Sequence, residues 1–182
     1  MKKVLIPVAP GFEEIEAVTV IDILRRAGVA VTVAGTVKGE IEGRNKIKLT
    51  PDVLLEDVVA RPFDMIVLPG GSAGTEHLKK DPRVKQILND MAARGGYITA
   101  ICAAPTVLSA VGLLQGKKVT SHPSVKGNLS ETNYSEDRVV VDGRIVTSRS
   151  PGTALEFAMK LVEILEGRSK MEEVNRGVLA RL

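Results

Sequence analysis

"KVLIPVAPGFEEIEAVTVIDILRRAGVAVTVAG", residues 3–35, decides the fold. The first seven residues are an apolar run stopped by Pro10-Gly11, the length and boundary of a buried strand. Over 13–28 the period changes. Ala17, Val20, Ile21 and Leu24 recur at helical spacing, glutamates fill the first turn, Arg25 and Arg26 the last, and Gly28 stands where a helix ends. β-branched residues return at 29–35. Strand, helix and strand in this order predict a βαβ unit, in which a helix crosses between parallel strands.

The same alternation continues outward. Residues 64–71, "DMIVLPGG", read as a strand ending in glycines, and 81–96 as a helix. "YITAICA" (97–103) and "APTVLSAVGLL" (104–114) read as strand then helix, and "KKVTSHP" (117–123) as a further strand. "RVVVDGRIVTS" (138–148) is two strands about Asp142-Gly143, a hairpin signal. Residues 151–167 begin with proline and end with glycine, as helices do, and a last helix is expected over 169–180. The polar stretch 36–50 suggests a small hairpin. The sum is an α/β protein with a mostly parallel sheet flanked by helices, in one domain spanning 1–182.

Composition narrows the functions. At 44% hydrophobic residues the chain is no disordered segment. Aromatics are 3% and Trp is absent, which argues against a stacking platform for nucleic acid. The net charge of +3 is spread over separate pairs such as Lys2-Lys3, Arg25-Arg26, Lys79-Lys80 and Lys117-Lys118, the pattern of solvated faces. No specific nucleic-acid or membrane partner is expected. The N-terminal apolar run is too short for a signal peptide or a membrane span, and a single cysteine makes no internal disulfide, so a reducing, cytoplasmic setting is expected.

In parallel sheets ligands bind beyond the carboxyl ends of the strands. Three such ends hold chemistry: Pro10 to Glu16, Gly70 to Gly74, and Cys102 to Ala104. Cys102 is either a small buried hydrophobe or a reactive thiol. Its position favours the second: a helix N-terminus brings cysteine pKa values to about 3.5–7.5, and Ala100, Ala103 and Ala104 suit a tight strand-to-helix turn carrying a nucleophile. "LPGGSAG" (68–74) matches no phosphate-loop pattern and is either a plain turn or part of an oxyanion hole, with the Gly71 and Ala103 amides as donors. Glu13 and Glu14 are explained by dipole compensation. Glu16 flanks the apolar stripe, and a buried, protonated carboxyl there would donate a hydrogen bond to a thiolate. His77, among charged neighbours, is expected at the surface. His122 is either a structural histidine or a base for Cys102. No grouping has zinc spacing, and no metal is expected.

"GFEEIEA", "VLPGG", "AICAAPTVL", "SHP", "YSEDRVVVDG" and "TSRSPGT" together resemble the ThiJ/PfpI superfamily, in the branch of the Parkinson's-disease-associated protein deglycase and its bacterial chaperone-like homologues. The resemblance runs through nearly the whole chain in one order. It implies a flavodoxin-like α/β sandwich, a homodimer and no cofactor. It implies Cys102 as the nucleophile, Glu16 as the protonated carboxyl beside it, His122 nearby, and Gly70, Gly71 and Ala103 at the oxyanion and substrate site. Three departures stand out. Ala103 replaces the histidine of the protease-like branch, "ICAAP" lacks the glycines favoured by glutamine amidotransferases, and Ser150 stands where close relatives carry glycine. The activity implied is a cofactor-free glyoxalase or deglycase acting on methylglyoxal, glyoxal or early glycation adducts. The alternative is a redox sensor or chaperone working through oxidation of Cys102.

Overall fold

The computed structural model describes residues 1–181. Along the chain run β1 (Lys3–Val8), α1 (Glu14–Arg26), β2 (Ala30–Gly35), β3 (Ile41–Glu42), β4 (Lys48–Leu49), β5 (Val53–Leu54), β6 (Met65–Leu68), α2 (Ser72–Lys80), α3 (Pro82–Ala93), β7 (Tyr97–Ile101), α4 (Pro105–Ala110), β8 (Lys118–Val119), β9 (Asn133–Tyr134), β10 (Val139–Asp142), β11 (Ile145–Ser148), α5 (Ala154–Glu166) and α6 (Arg168–Gly177). The central sheet has the order β10-β11-β7-β6-β1-β2-β5. All its neighbours pair in parallel except β10, which returns antiparallel beside β11.

Alternation explains both faces. On β1, Val4, Ile6 and Val8 pack toward α1 and α5, against Leu24, Phe157 and Leu161, while Leu5 points the other way, into a cluster with Leu88 of α3 and Val107 of α4. A strand buried on both sides needs apolar residues at every position, which is why β1 reads as a continuous run. The result is a flavodoxin-like three-layer α/β sandwich.

The helices and hairpins of the sequence reading recur, with differences that have local causes. The 36–50 hairpin is β3 with β4. The glycine-rich turn after β6 is shorter than expected: it ends at Gly71, and Ser72 begins α2. α4 stops at Ala110 rather than near residue 114, because Gly112 turns the chain at φ +76°. Of 117–123 only Lys118 and Val119 form a strand, and they pair with β9 in a separate two-stranded sheet rather than joining the central one. Ser150 has φ −166°, extended backbone open to any residue, so serine in place of glycine carries no strain there.

In the order β7-β6-β1, the three strands with chemistry at their ends lie side by side. The chain leaves β1 for β2 on one side and returns through β6 on the other, the reversal where open parallel sheets form a crevice.

Candidate active site

Cys102 is the first residue past β7, and its φ is +66°. A non-glycine residue in that region costs of order 1–3 kcal/mol and persists only where its surroundings hold it. Both of its main-chain groups are held: its N–H donates to the Ser148 carbonyl at 3.0 Å, and its carbonyl accepts from the His122 N–H at 2.8 Å. Ala103 and Ala104, both buried, leave room for so sharp a turn. The side chain thus leaves the strand as on a nucleophile elbow, 7% exposed.

Glu16 comes from the first turn of α1, beyond the end of β1, which lies two strands from β7. Glu13 caps α1 through its carboxylate, which accepts from the Glu16 N–H at 2.9 Å. That cap turns Glu16 inward, where it is fully buried. Its Oε2 accepts from the Gly70 N–H at 2.7 Å. Its Oε1 is buried with no hydrogen-bond partner, and the carboxyl lies against the Cys102 thiol. Gly70 lies between the two acids: a β-carbon there would stand 2.5 Å from Glu16 Oε2 and 2.7 Å from Cys102 Cβ. Gly71 follows at φ +87°, and its amide, with that of Ala103, faces the sulfur.

The electrostatics correct one expectation. The thiol is not pulled down by a helix terminus. Burial and the adjacent Glu16 charge push it up to about 12, against the Gly71 and Ala103 amides that favour the thiolate. Burial likewise raises Glu16 to about 7, opposed by its hydrogen bonds to Cys102 and Gly70. The two acids titrate as a pair. One proton leaves near neutral pH, and the second is held far above it. When Glu16 carries the remaining proton, the repulsion that raised the thiol is gone and the amides still face the sulfur.

Of the residues singled out in the sequence, Cys102, Glu16, Gly70, Gly71 and Ala103 come together. His122 arrives by its main chain. Its Nδ1 is taken up by Ser124, with Oγ at 2.7 Å and the N–H at 3.2 Å, as the cap of the following turn. His77 is exposed, its Nδ1 against the Pro10 carbonyl at 2.9 Å.

Glu13 and Glu14 do more than compensate a dipole. Both are buried. Glu14 accepts from the Asn45 N–H at 2.7 Å, from Asn45 Nδ2 at 2.9 Å and from the Ile47 N–H at 3.4 Å, which fastens the β3–β4 loop over the start of α1. The signal available was a third glutamate where one suffices for the dipole. Among the described residues no cluster of three or more His, Cys, Asp or Glu is arranged to hold a metal, and no helix is long and apolar enough to cross a membrane.

The fold and this crevice define a flavodoxin-like α/β sandwich with a cysteine on a strained strand-to-helix turn beside a buried carboxyl. The chain belongs to the DJ-1/PfpI family, whose model matches residues 2–164. It is 45% identical over 181 residues to Protein dj-1beta of Drosophila melanogaster, covering 98% of this chain and 97% of that one. The crystal structure of that Drosophila protein superposes with a TM-score of 0.97 at 43% identity, covering 100% of this chain and 99% of the other. Glutathione-independent glyoxalase DJR-1.2 of Caenorhabditis elegans is 42% identical over 160 residues, covering 87% and 85% of the two chains.

Proposed function

We propose that the protein is a cofactor-free glyoxalase that converts methylglyoxal or glyoxal to the 2-hydroxy acid, with early glycation adducts as a related substrate class. The observation that carries this reading is the buried Glu16 carboxyl set beside the Cys102 thiol, with Gly70 leaving room for both. The name of the nematode relative supports the substrate class.

The thiolate of Cys102 adds to the aldehyde carbon of methylglyoxal, and the carbonyl oxygen takes the proton of Glu16 to give a hemithioacetal. The Gly71 and Ala103 amides serve that oxygen as it gains charge. Glu16, now a carboxylate, removes the hydrogen from the same carbon, and the enediol takes a proton back at the neighbouring carbon. The former aldehyde carbon is thereby oxidised to a thioester and the ketone carbon reduced to an alcohol, so no external redox partner is consumed. Water cleaves the thioester, releasing lactate and restoring the thiol. His122 holds the Cys102 carbonyl, and Nε2 is its one ring nitrogen left for a substrate proton.

A second copy of the chain fits this reading as partner. Ile15 and Val18 stand exposed on α1, and Val18 shares a shallow groove with Leu155 of α5. Lactate production from methylglyoxal in buffer without glutathione tests the activity. Its absence from wild-type protein contradicts the proposal.

A further inference from the structure

The strained conformation of Cys102 is held partly by the Ser148 carbonyl, at the end of β11, where Ser148 lies between Ile101 of β7 and Val139 of β10, and two buried hydroxyls fasten the turn that follows. Thr153 Oγ1 accepts from the Arg149 N–H at 3.2 Å and from the Ser150 N–H at 3.1 Å. Those two bonds use both of its lone pairs, so its own proton must go outward. Ser148 Oγ lies at 2.7 Å and the Ser150 carbonyl at 2.9 Å, the latter already accepting from the Thr153 N–H. Ser148 Oγ spends its own proton on the Arg138 carbonyl at 2.8 Å, so in the 2.7 Å contact between the two hydroxyls it is Thr153 that donates. The hydrogen bonds therefore run one way: from the 149 and 150 amides through Thr153 and Ser148 to the Arg138 carbonyl. Both hydroxyl residues are buried, at 3% and 0% exposure.

The turn is also held by the Thr153 N–H on the Ser150 carbonyl at 2.9 Å and by Arg138 Nη2 on the Gly152 carbonyl at 2.8 Å, but it is the Thr153 hydroxyl that ties it to Ser148 Oγ. Ser150 is extended and forms a capping box with Thr153. With the Thr153 hydroxyl removed, two amides lose their acceptor and Ser148 Oγ loses its donor. Groups buried without partners relax toward water, and the Ser148 carbonyl moves with them. Its partner is the Cys102 N–H.

We propose that Thr153 and Ser148 are a positioning pair for the nucleophile: their hydroxyl chain fixes the Ser148 carbonyl, which holds Cys102 in its left-handed conformation with Sγ facing the Gly71 and Ala103 amides. The inference rests on the reading of Cys102 as nucleophile. It assigns neither hydroxyl a contact with substrate.

The test compares Thr153→Val, Thr153→Ser and Ser148→Ala with wild type. For each, the rate of Cys102 alkylation by iodoacetamide is followed against pH, together with the melting temperature and methylglyoxal turnover. Thr153→Val is expected to slow alkylation roughly ten- to hundredfold, the scale of loss for a misplaced reacting group. Its pH midpoint moves upward as the sulfur loses its amides. Thr153→Ser restores both readings, and Ser148→Ala moves them the same way by less. A Thr153→Val protein that melts lower yet alkylates with the wild-type rate and midpoint would overturn the proposal. Should that variant not fold, Ser148→Ala decides by the same two readings. Alkylation needs no dicarbonyl, so wild type that alkylates normally but makes no lactate contradicts the proposed activity and leaves the positioning role standing.

Discussion

The Gly70 N–H donates to Glu16 Oε2 at 2.7 Å, and the missing side chain of Gly70 is what lets Glu16 and Cys102 meet. Any β-carbon there falls inside the contact distance of both. Gly70→Ala is therefore expected to push the two acids apart, to destabilise the fold by about 1–3 kcal/mol as overpacked cores do, and to abolish turnover. Denaturant unfolding and lactate formation read the two effects. Wild-type turnover in Gly70→Ala would refute the close pairing.

The raised Glu16 makes stability depend on pH. Folded protein binds this proton more tightly than the unfolded chain, whose carboxyl titrates near 4.5. Its contribution is full below pH 4.5 and is lost as pH rises through about 7, a decline of about 3 kcal/mol. Glu16→Gln stays neutral throughout and still accepts from Gly70. Its stability should be flat across that window and exceed that of wild type at pH 8, by urea unfolding at a series of pH values.

The same pair shapes the rate. kcat/KM is expected to rise with pH through a midpoint of about 7, where the pair loses its first proton. In Glu16→Gln the thiol, freed of an adjacent negative charge, should alkylate with a midpoint below about 12. Lactate formation should nevertheless be lost, because the proton carrier is gone. Iodoacetamide rates and NMR of product separate the two.

Glu14 is expected to matter for the loop and little for the chemistry. Glu14→Ala removes three acceptor contacts to Asn45 and Ile47. A loss of about 1–3 kcal/mol follows from losing hydrogen bonds to a charged carboxylate, since Glu14 is buried while Asn45 and Ile47 are exposed. Limited proteolysis should then cut within 43–47, while the pH midpoint of Cys102 alkylation stays at its wild-type value.

Peroxide should act on the same ionisation. The thiolate is the species that oxidises. Mass spectrometry after mild peroxide is expected to show Cys102 gaining oxygen faster at pH 8 than at pH 6. Equal rates at the two values would break the link between Glu16 and the thiol.

Much of this was legible in the chain. The period change at Glu13 and the apolar run of β1 reveal the βαβ unit, since burial on both faces leaves no polar position in the strand. Cys102 was legible because small residues flank it where a strand meets a helix. The strength of Glu16 was not, because its inward turn depends on the Glu13 cap and on Gly70 from a strand distant in sequence. The direction of the thiol's titration was misjudged for the same reason: a helix terminus is visible in sequence, whereas a carboxyl brought in from the first turn of α1 is not. Val119 and its neighbours carry strand propensity, but propensity does not say which sheet a strand joins. The Thr153 hydroxyl likewise gains meaning only when the turn folds back on Ser148.

The most direct measurement counts lactate molecules released per Cys102 from methylglyoxal, by NMR without glutathione, for wild type, Cys102→Ser and Glu16→Gln. Many turnovers in wild type and none in either variant is the expected result. Loss of methylglyoxal that stops near one equivalent per Cys102, with no lactate, would contradict it and leave a thiol that only traps its ligand.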